Sequence, residues 1–179
     1  KADHIDSALK AQVEINDSRF YYEPLLAAHP NENLDPVKFL DFELNAPIWI
    51  SSMTGGSDAG SRINQNLAKA CAEFGLGMGL GSCRIILEDD THLSDFQLRN
   101  YIGDSQPFYA NLGIAQIEES IESNGLSKIS AMLDKLDADG LIVHVNPLQE
   151  WMQHEGDVIK SKPIETIKRL IDFMDISLI

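Results

Sequence analysis

Cysteine is nearly missing from this chain: among 179 residues there are 2, Cys71 and Cys83. Such a pair is too sparse for a disulfide framework and too widely spaced for a Cys-x-x-Cys redox or zinc motif, so a reduced, cytoplasmic setting is expected. Positive charge is scarce as well, with 14 Lys and Arg against 28 Asp and Glu and a formal net charge of -14. The deficit is uniform, since residues 1–90 hold 7 and 14 of these, leaving 7 and 14 for the remainder. No basic segment could track a phosphate backbone, which argues against nucleic acid as a partner. An anionic small substrate would be repelled by this field unless cations were concentrated locally, as side chains or as a metal. Long apolar runs are lacking too. No stretch approaches the roughly 18 residues of a membrane span, and the opening "KADHIDSALKAQ" is polar and helical in pattern, unlike a signal peptide. The remaining composition, 44% hydrophobic and 23% charged, is that of one globular domain or part of a larger one.

Four short apolar runs stand out: "APIWISSM" (46–53), "GLGMGLGS" (75–82), "PFYANLG" (107–113) and "GLIVHVNP" (140–147). They lack the alternation of half-exposed strands, which predicts strands covered on both faces, as in parallel sheets. Helical patterns lie between them. "SRINQNLAKACAEF" places Ile63, Leu67, Cys71 and Phe74 on one stripe, predicted to cover the sheet. Residues 114–136 are predicted helical with a break near Gly125, and "EDDTHLSDFQLRNYI" supplies a shorter helix. "PIETIKRLIDFM" opens with Pro163 at a first helical position and carries Ile164, Ile167, Leu170, Ile171 and Met174 at helical period. "ISLI" reads as the first half of a fifth strand, and "VKFLDFEL" as a strand-like lead into the first. Alternating strands and helices imply right-handed parallel crossovers, found in doubly wound sheets and in (β/α)8 barrels. Periodicity leaves both folds open. If a barrel, the chain covers only its N-terminal half, because a complete one takes about 250 residues.

In either fold the functional face is the C-terminal end of the strands. The residues there are Ser51, Ser52, Met53, Thr54, Gly55 and Gly56 after the first run; Gly81, Ser82, Cys83 and Arg84 after the second; Asn111, Leu112 and Gly113 after the third; His144, Asn146, Gln149 and Glu150 after the fourth. Taken singly, each has an ordinary reading. Thr-Gly-Gly makes tight turns, Arg84 could be a solvated charge, His144 a satisfied core histidine, and Asn-Pro opens turns. Jointly they suggest more. Backbone N–H groups of "MTGG" and an amide such as Asn111 suit the edge of a planar heterocycle. Glu150 offers a hard oxygen ligand, and one carboxylate plus substrate phosphate is a usual way to hold Mg2+. Arg84, with Lys1 and His4 from the N-terminal arm, could supply the local cations, pointing to a phosphate-bearing substrate.

The set "KADHI", "APIWISSMTGG", "GLGMGLGSCR", "YANLG" and "HVNPLQE…EGD" resembles the type 2 isopentenyl diphosphate isomerase family along essentially the whole chain. That resemblance implies a (β/α)8 TIM barrel, with residues 1–40 an arm contributing to the substrate site and 41–179 the first half of the barrel. It also implies conversion of isopentenyl to dimethylallyl diphosphate using reduced FMN and Mg2+, with NADPH as reductant, in a homo-oligomer built from tetramers. By position, Ser52, Met53, Thr54, Ser82 and Asn111 would contact the flavin. Lys1, His4, Arg84, Asn146 and Gln149 would surround the substrate, Glu150 would bind the metal, and His144 and Gln149 would lie at the reacting centre.

Three features depart from the family pattern. The Arg usual before the arm's Lys is not in the chain, Cys83 stands where the family often has Gln, and the second half with its strand-five Lys and phosphate-binding glycine loops lies beyond Ile179. These 179 residues alone are therefore expected to be inactive. Two other readings share the features: a flavin-dependent 2-hydroxy-acid dehydrogenase on the same fold, and a non-catalytic half-barrel fragment.

Overall fold

The computed structural model describes residues 25, 35–54, 57–154 and 156–179. Contacts divide the chain after Asn33, and the fold is that of the second unit, Leu34–Ile179. It opens with an antiparallel hairpin, β1 (Val37–Phe39) and β2 (Phe42–Leu44), in which Leu40 takes the left-handed conformation at φ 51° to close the turn. The strand-like lead "VKFLDFEL" is thus two strands rather than one. Next comes a parallel sheet of β3 (Trp49–Ile50), β4 (Gly77–Gly79), β5 (Phe108–Gly113), β6 (Gly140–His144) and β7 (Ser177–Leu178). Its strand order is the chain order, β3-β4-β5-β6-β7, and every neighbouring pair is parallel. The four predicted runs and the half strand at "ISLI" all form strands of this sheet.

Between β3 and β4 runs α1 (Asp58–Phe74), capped at its start by Ser57 Oγ accepting from Gly60 N and at its end by left-handed Gly75. Between β4 and β5 are α2 (Arg84–Glu88), a 3-10 turn (Leu93–Asp95) and α3 (Arg99–Ile102). The segment after β5 folds as α4 (Ile114–Glu122) and α5 (Leu126–Leu136), interrupted at Gly125 as its composition predicts. After β6 come α6 (Pro147–Met152) and α7 (Pro163–Phe173), each with proline in the first turn, where its missing N–H costs nothing.

The two faces of the sheet differ. Ile50, Met78, Phe108, Ala110, Leu112, Leu141, Val143 and Leu178 share one apolar core with Ala68, Cys71, Ile117, Ile129, Met132, Leu136 and Leu170 from the helices. Because side chains alternate along a strand, Trp49, Gly77, Gly79, Tyr109, Asn111, Gly140, Ile142 and Ser177 belong to the opposite face. There the glycines make room. A Cβ at Gly77 would run into the Trp49 indole, and one at Gly79 into Ile142 Cδ1 and Ser52 Oγ. Trp49 meets Tyr109 edge-on at 5.7 Å, and the Tyr109 hydroxyl donates to Ser177 Oγ at 2.8 Å. Toward the hairpin this face ends in an apolar hollow of about 340 Å³ between Phe39, Leu44, Pro47, Trp49, Ile142 and Ile179.

Two helix faces depart from expectation. On α1, Ile63 and Phe74 are exposed, while Asn64, Ala68 and Cys71 are buried against the sheet. The helix is rotated by about one position because Asn64 is drawn inward by three hydrogen bonds, to Thr54 Oγ1, Thr54 O and Asp95 O. On α7, Leu170 and Met174 are buried as expected, but Thr166 is buried with them and Ile164 and Ile171 are exposed. No helix of the described residues is long and apolar enough to cross a membrane.

Candidate functional site at the strand ends

The C-terminal ends of β3 to β6 are joined by a continuous set of contacts. Gly81 N donates to Thr54 O at 3.2 Å and Cys83 N to Asn111 O at 2.8 Å, while Gly113 pairs with His144 in the β5–β6 register. A Cβ at Gly81 would run into the Thr54 backbone, so this glycine allows the two loops to close on each other. Ser52, Thr54, Ser82, Arg84, Asn111, His144, Asn146, Gln149 and Glu150 therefore share one end of the sheet. Met53 is there too, with its side chain 78% exposed. Lys1, His4 and the two glycines of "MTGG", Gly55 and Gly56, lie outside the described residues.

Several of these side chains already serve the fold. The Thr54 hydroxyl donates to Asn64 Oδ1. Asn146 caps α6: its Oδ1 accepts from Gln149 N at 3.1 Å and its Nδ2 donates to Gln149 Oε1 at 2.9 Å. Asn146 is thus a side-chain N-cap with proline at the next position, and its amide N–H also holds the Gln149 side chain. It fixes the Gln149 amide with its oxygen occupied and its N–H groups left to donate outward. The exposed Ser82 Oγ accepts a weak 3.4 Å bond from Arg84 N.

Asn111 is different. The residue as a whole is 6% exposed, but its side-chain amide, which makes no hydrogen bond among the described residues, is reached by solvent. The amide is therefore open to solvent and can bond a ligand without breaking a bond of the fold. Its alternation with Tyr109 and Gly113 places it on the face opposite the helices, at the strand end.

Arg84 and Glu150 meet through a residue that the motif reading passed over. Asp157 Oδ2 accepts from Arg84 Nη1 at 2.8 Å and from Gln116 Nε2 at 2.6 Å, while Asp157 N donates to Glu150 Oε2 at 2.9 Å. The Arg84–Asp157 side chains are 49% and 32% exposed, so the ion pair contributes at most about 1 kcal/mol to stability. Its effect is on position. Gly156 permits the approach, since a Cβ there would strike the Glu150 carbonyl. The only sequence signal for this residue is the "EGD" that closes the polar stretch, whose Gly-Asp step follows α6 at a tight turn. Gln116 carries no signal at all: it lies on an ordinary helix.

The segment after Asp157 is tied down by Glu118, 3% exposed on α4, whose carboxylate accepts from Lys160 N at 2.8 Å and Ser161 N at 2.7 Å. Burial alone would raise the Glu118 pKa. Hydrogen bonds from Ser161 and from the backbone at Lys160 and Ser161, with the nearby Lys160 charge, outweigh it and hold the carboxyl below its ordinary value. Cys83, fully buried, has its thiol pKa pushed up to about 12 by burial, and Cys71 to about 11 by the same cause. Neither is a nucleophile. Among the described residues no three His, Cys, Asp or Glu side chains cluster as a metal site. Glu150 Oε2 accepts from Asp157 N, and its Oε1 makes no hydrogen bond among the described residues.

Parallel strands in chain order with helices on one face define an α/β protein with a parallel sheet, and amides, hydroxyls and charges converge at its C-terminal strand ends. Comparison with known proteins narrows this. The chain is 39% identical over 165 residues to the isopentenyl-diphosphate delta-isomerase of Nostoc sp., covering 88% of this chain and 46% of that protein. It is 34% identical over 177 residues to the same-named protein of Methanococcoides burtonii, covering 95% and 48%. Against that of Rickettsia africae it is 34% identical over 186 aligned positions, covering 100% and 53%. The chain therefore spans about half the length of the curated relatives it matches. No family model matches it.

Proposed function

We propose that this chain is the N-terminal half of a flavin-dependent, type 2 isopentenyl diphosphate isomerase, built as the first half of a (β/α)8 barrel. The observation that carries the activity is identity of 34 to 39% to proteins of that name across 88 to 100% of the chain. Strand order supports the barrel. A doubly wound sheet reverses direction at a switch point, whereas five strands in chain order with helices on one face continue a single turn of winding. The glycine-lined face, with Trp49 and Tyr109 meeting edge-on across it, then becomes the barrel interior.

The donor set fits the cofactors. The solvent-reached, unbonded Asn111 amide suits the edge of a flavin, and Ser52 and Ser82 follow the neighbouring strands at the same end of the sheet. Glu150 presents one free carboxylate oxygen, suited to Mg2+ shared with a substrate phosphate. Moving a double bond from the 3,4 to the 2,3 position requires a proton added at a terminal alkene carbon and another removed at an allylic carbon, and reduced FMN would supply a nitrogen acid and base for that exchange. The chain's own residues bind and orient. Arg84 meets the diphosphate, whose binding energy holds the alkene in place. Gln149, its oxygen held by Asn146, keeps its amide N–H groups available to orient the substrate or relay a proton, and His144 lies on the neighbouring strand directly opposite Gly113.

Assay of the intact polypeptide with isopentenyl diphosphate and Mg2+, before and after removal of FMN, tests this reading. Turnover only with reduced FMN is expected. Full activity in flavin-free protein would sink the type 2 reading. In the same assay Arg84→Ala should weaken substrate binding by roughly 2 kcal/mol, about thirtyfold, with flavin content unchanged.

A further inference from the structure

We propose that Asp157 is a positioning residue that couples the anion ligand Arg84 to the metal ligand Glu150. The inference rests on the roles given to those two residues above. Its basis is geometric. One carboxylate oxygen of Asp157 receives both Arg84 Nη1 at 2.8 Å and Gln116 Nε2 at 2.6 Å, and the same residue's backbone N–H reaches Glu150 Oε2 at 2.9 Å. Three elements therefore meet at one residue: the start of α2 through Arg84, α4 through Gln116, and α6 through Glu150.

Each of the two ligands is left half free by this arrangement. Arg84 uses one N–H on Asp157 and keeps the others of its fork for a phosphate. Glu150 has one oxygen engaged and one open. Gln116 is itself fixed, because its Oε1 fills the space above Gly113, where a Cβ would strike it. Gly156 N adds a bond to Gln153 O at 3.2 Å, setting the turn that brings Asp157 to its place. Without the Asp157 side chain, Arg84 would be a solvated, mobile cation and the turn carrying the N–H to Glu150 would loosen. The side chain acts directly on Arg84 and indirectly on Glu150, so anion binding should suffer more than metal binding.

The experiment measures, by calorimetry on the intact polypeptide at fixed ionic strength, the affinity for inorganic diphosphate and the affinity for Mg2+ in its presence. Asp157→Ala should weaken diphosphate binding about tenfold and Mg2+ binding about threefold, and in an Arg84→Ala background it should add less than about twofold to the diphosphate defect. Asp157→Asn keeps an acceptor for both donors and should lose only about threefold for diphosphate, which also guards against a poorly folded alanine variant. A purely structural role would lower Tm and weaken diphosphate equally in both backgrounds, and that additive result would overturn the inference. So would unchanged or tighter diphosphate binding in Asp157→Ala, because the carboxylate would then be competing with the anion. If Arg84→Ala and Glu150→Gln themselves leave both affinities intact, the site reading fails and takes this inference with it. If they weaken binding and Asp157→Ala does not, the inference alone fails.

Discussion

Polar residues at the strand ends divide into those the fold consumes and those it leaves available, and residue type alone does not separate them. Thr54 and Asn146 look like ligand groups in sequence yet are engaged by Asn64 and Gln149, while Asn111, also a candidate in sequence, keeps a side-chain amide with no hydrogen bond among the described residues. Asp157 and Gln116 were not legible because their importance lies in long-range meetings, Asp157 with Arg84 across a separation of 73 residues and Gln116 with Asp157 across 41. Two predictions belong to single residues. Cys71 and Cys83, buried and with raised pKa, should resist an aromatic disulfide reagent in the native protein at pH 8 and react fully once denatured; rapid labelling of either would contradict their burial. Glu118→Gln should cost about 1–3 kcal/mol near pH 7, since an amide cannot accept from both backbone N–H groups. Because the folded-state pKa of Glu118 is depressed, its contribution is complete above the ordinary value of 4.5 and fades as pH falls through the lower folded value. Urea titrations of both proteins from pH 7 to 3 should show the gap closing only at the acid end.

Among the elements, boundaries were more legible than faces. Gly125 and Pro163 mark their helix limits through backbone chemistry that acts locally, so the sequence locates them, whereas Asn146-Pro147, read as a turn opener, begins the short helix α6. The buried face of α1 was misplaced because two stripes at spacings of three and four residues share Cys71: Ile63-Leu67-Cys71-Phe74, and Gly60-Asn64-Ala68-Cys71. The second is the buried one, and its polar Asn64 hides it from a hydrophobicity pattern. The hairpin was missed because its turn uses Leu40 at positive φ, without the usual Gly or Asn. The six-residue α6 depends on its ends. Asn146→Ala should destabilise it by about 1 kcal/mol and release the Gln149 amide. In the intact enzyme that release should lower kcat more than it raises KM, and the reverse pattern would show that Asn146 binds substrate directly.

For the whole molecule, the alternation of apolar strands and helices predicted an α/β protein with parallel strands, and the structure has one. What periodicity could not give was strand order, which distinguishes a sheet wound once from a sheet wound both ways. Order depends on which edge each new strand joins, and no local pattern records that choice. Composition likewise could not show that "GLGMGLG" is a one-sided strand, with Leu76, Met78 and Leu80 toward the helices and glycines toward Trp49 and Ile142. Expressed as these 179 residues, the polypeptide is expected to retain no FMN and to show no isomerase turnover, because half of the proposed barrel is outside it. Absorbance near 450 nm at about one flavin per chain after gel filtration would contradict this.

The strand order also sets a schedule for synthesis. Each strand of the sheet pairs with the one made just before it, so every β/α step finds its docking edge already present as it leaves the ribosome. No strand must wait for a distant partner, and each closure spans only one helical crossover, which keeps the entropic cost of each step small. These five strands can therefore be added in register with translation, one edge at a time, with β3 as the standing edge and the newest strand as the moving one.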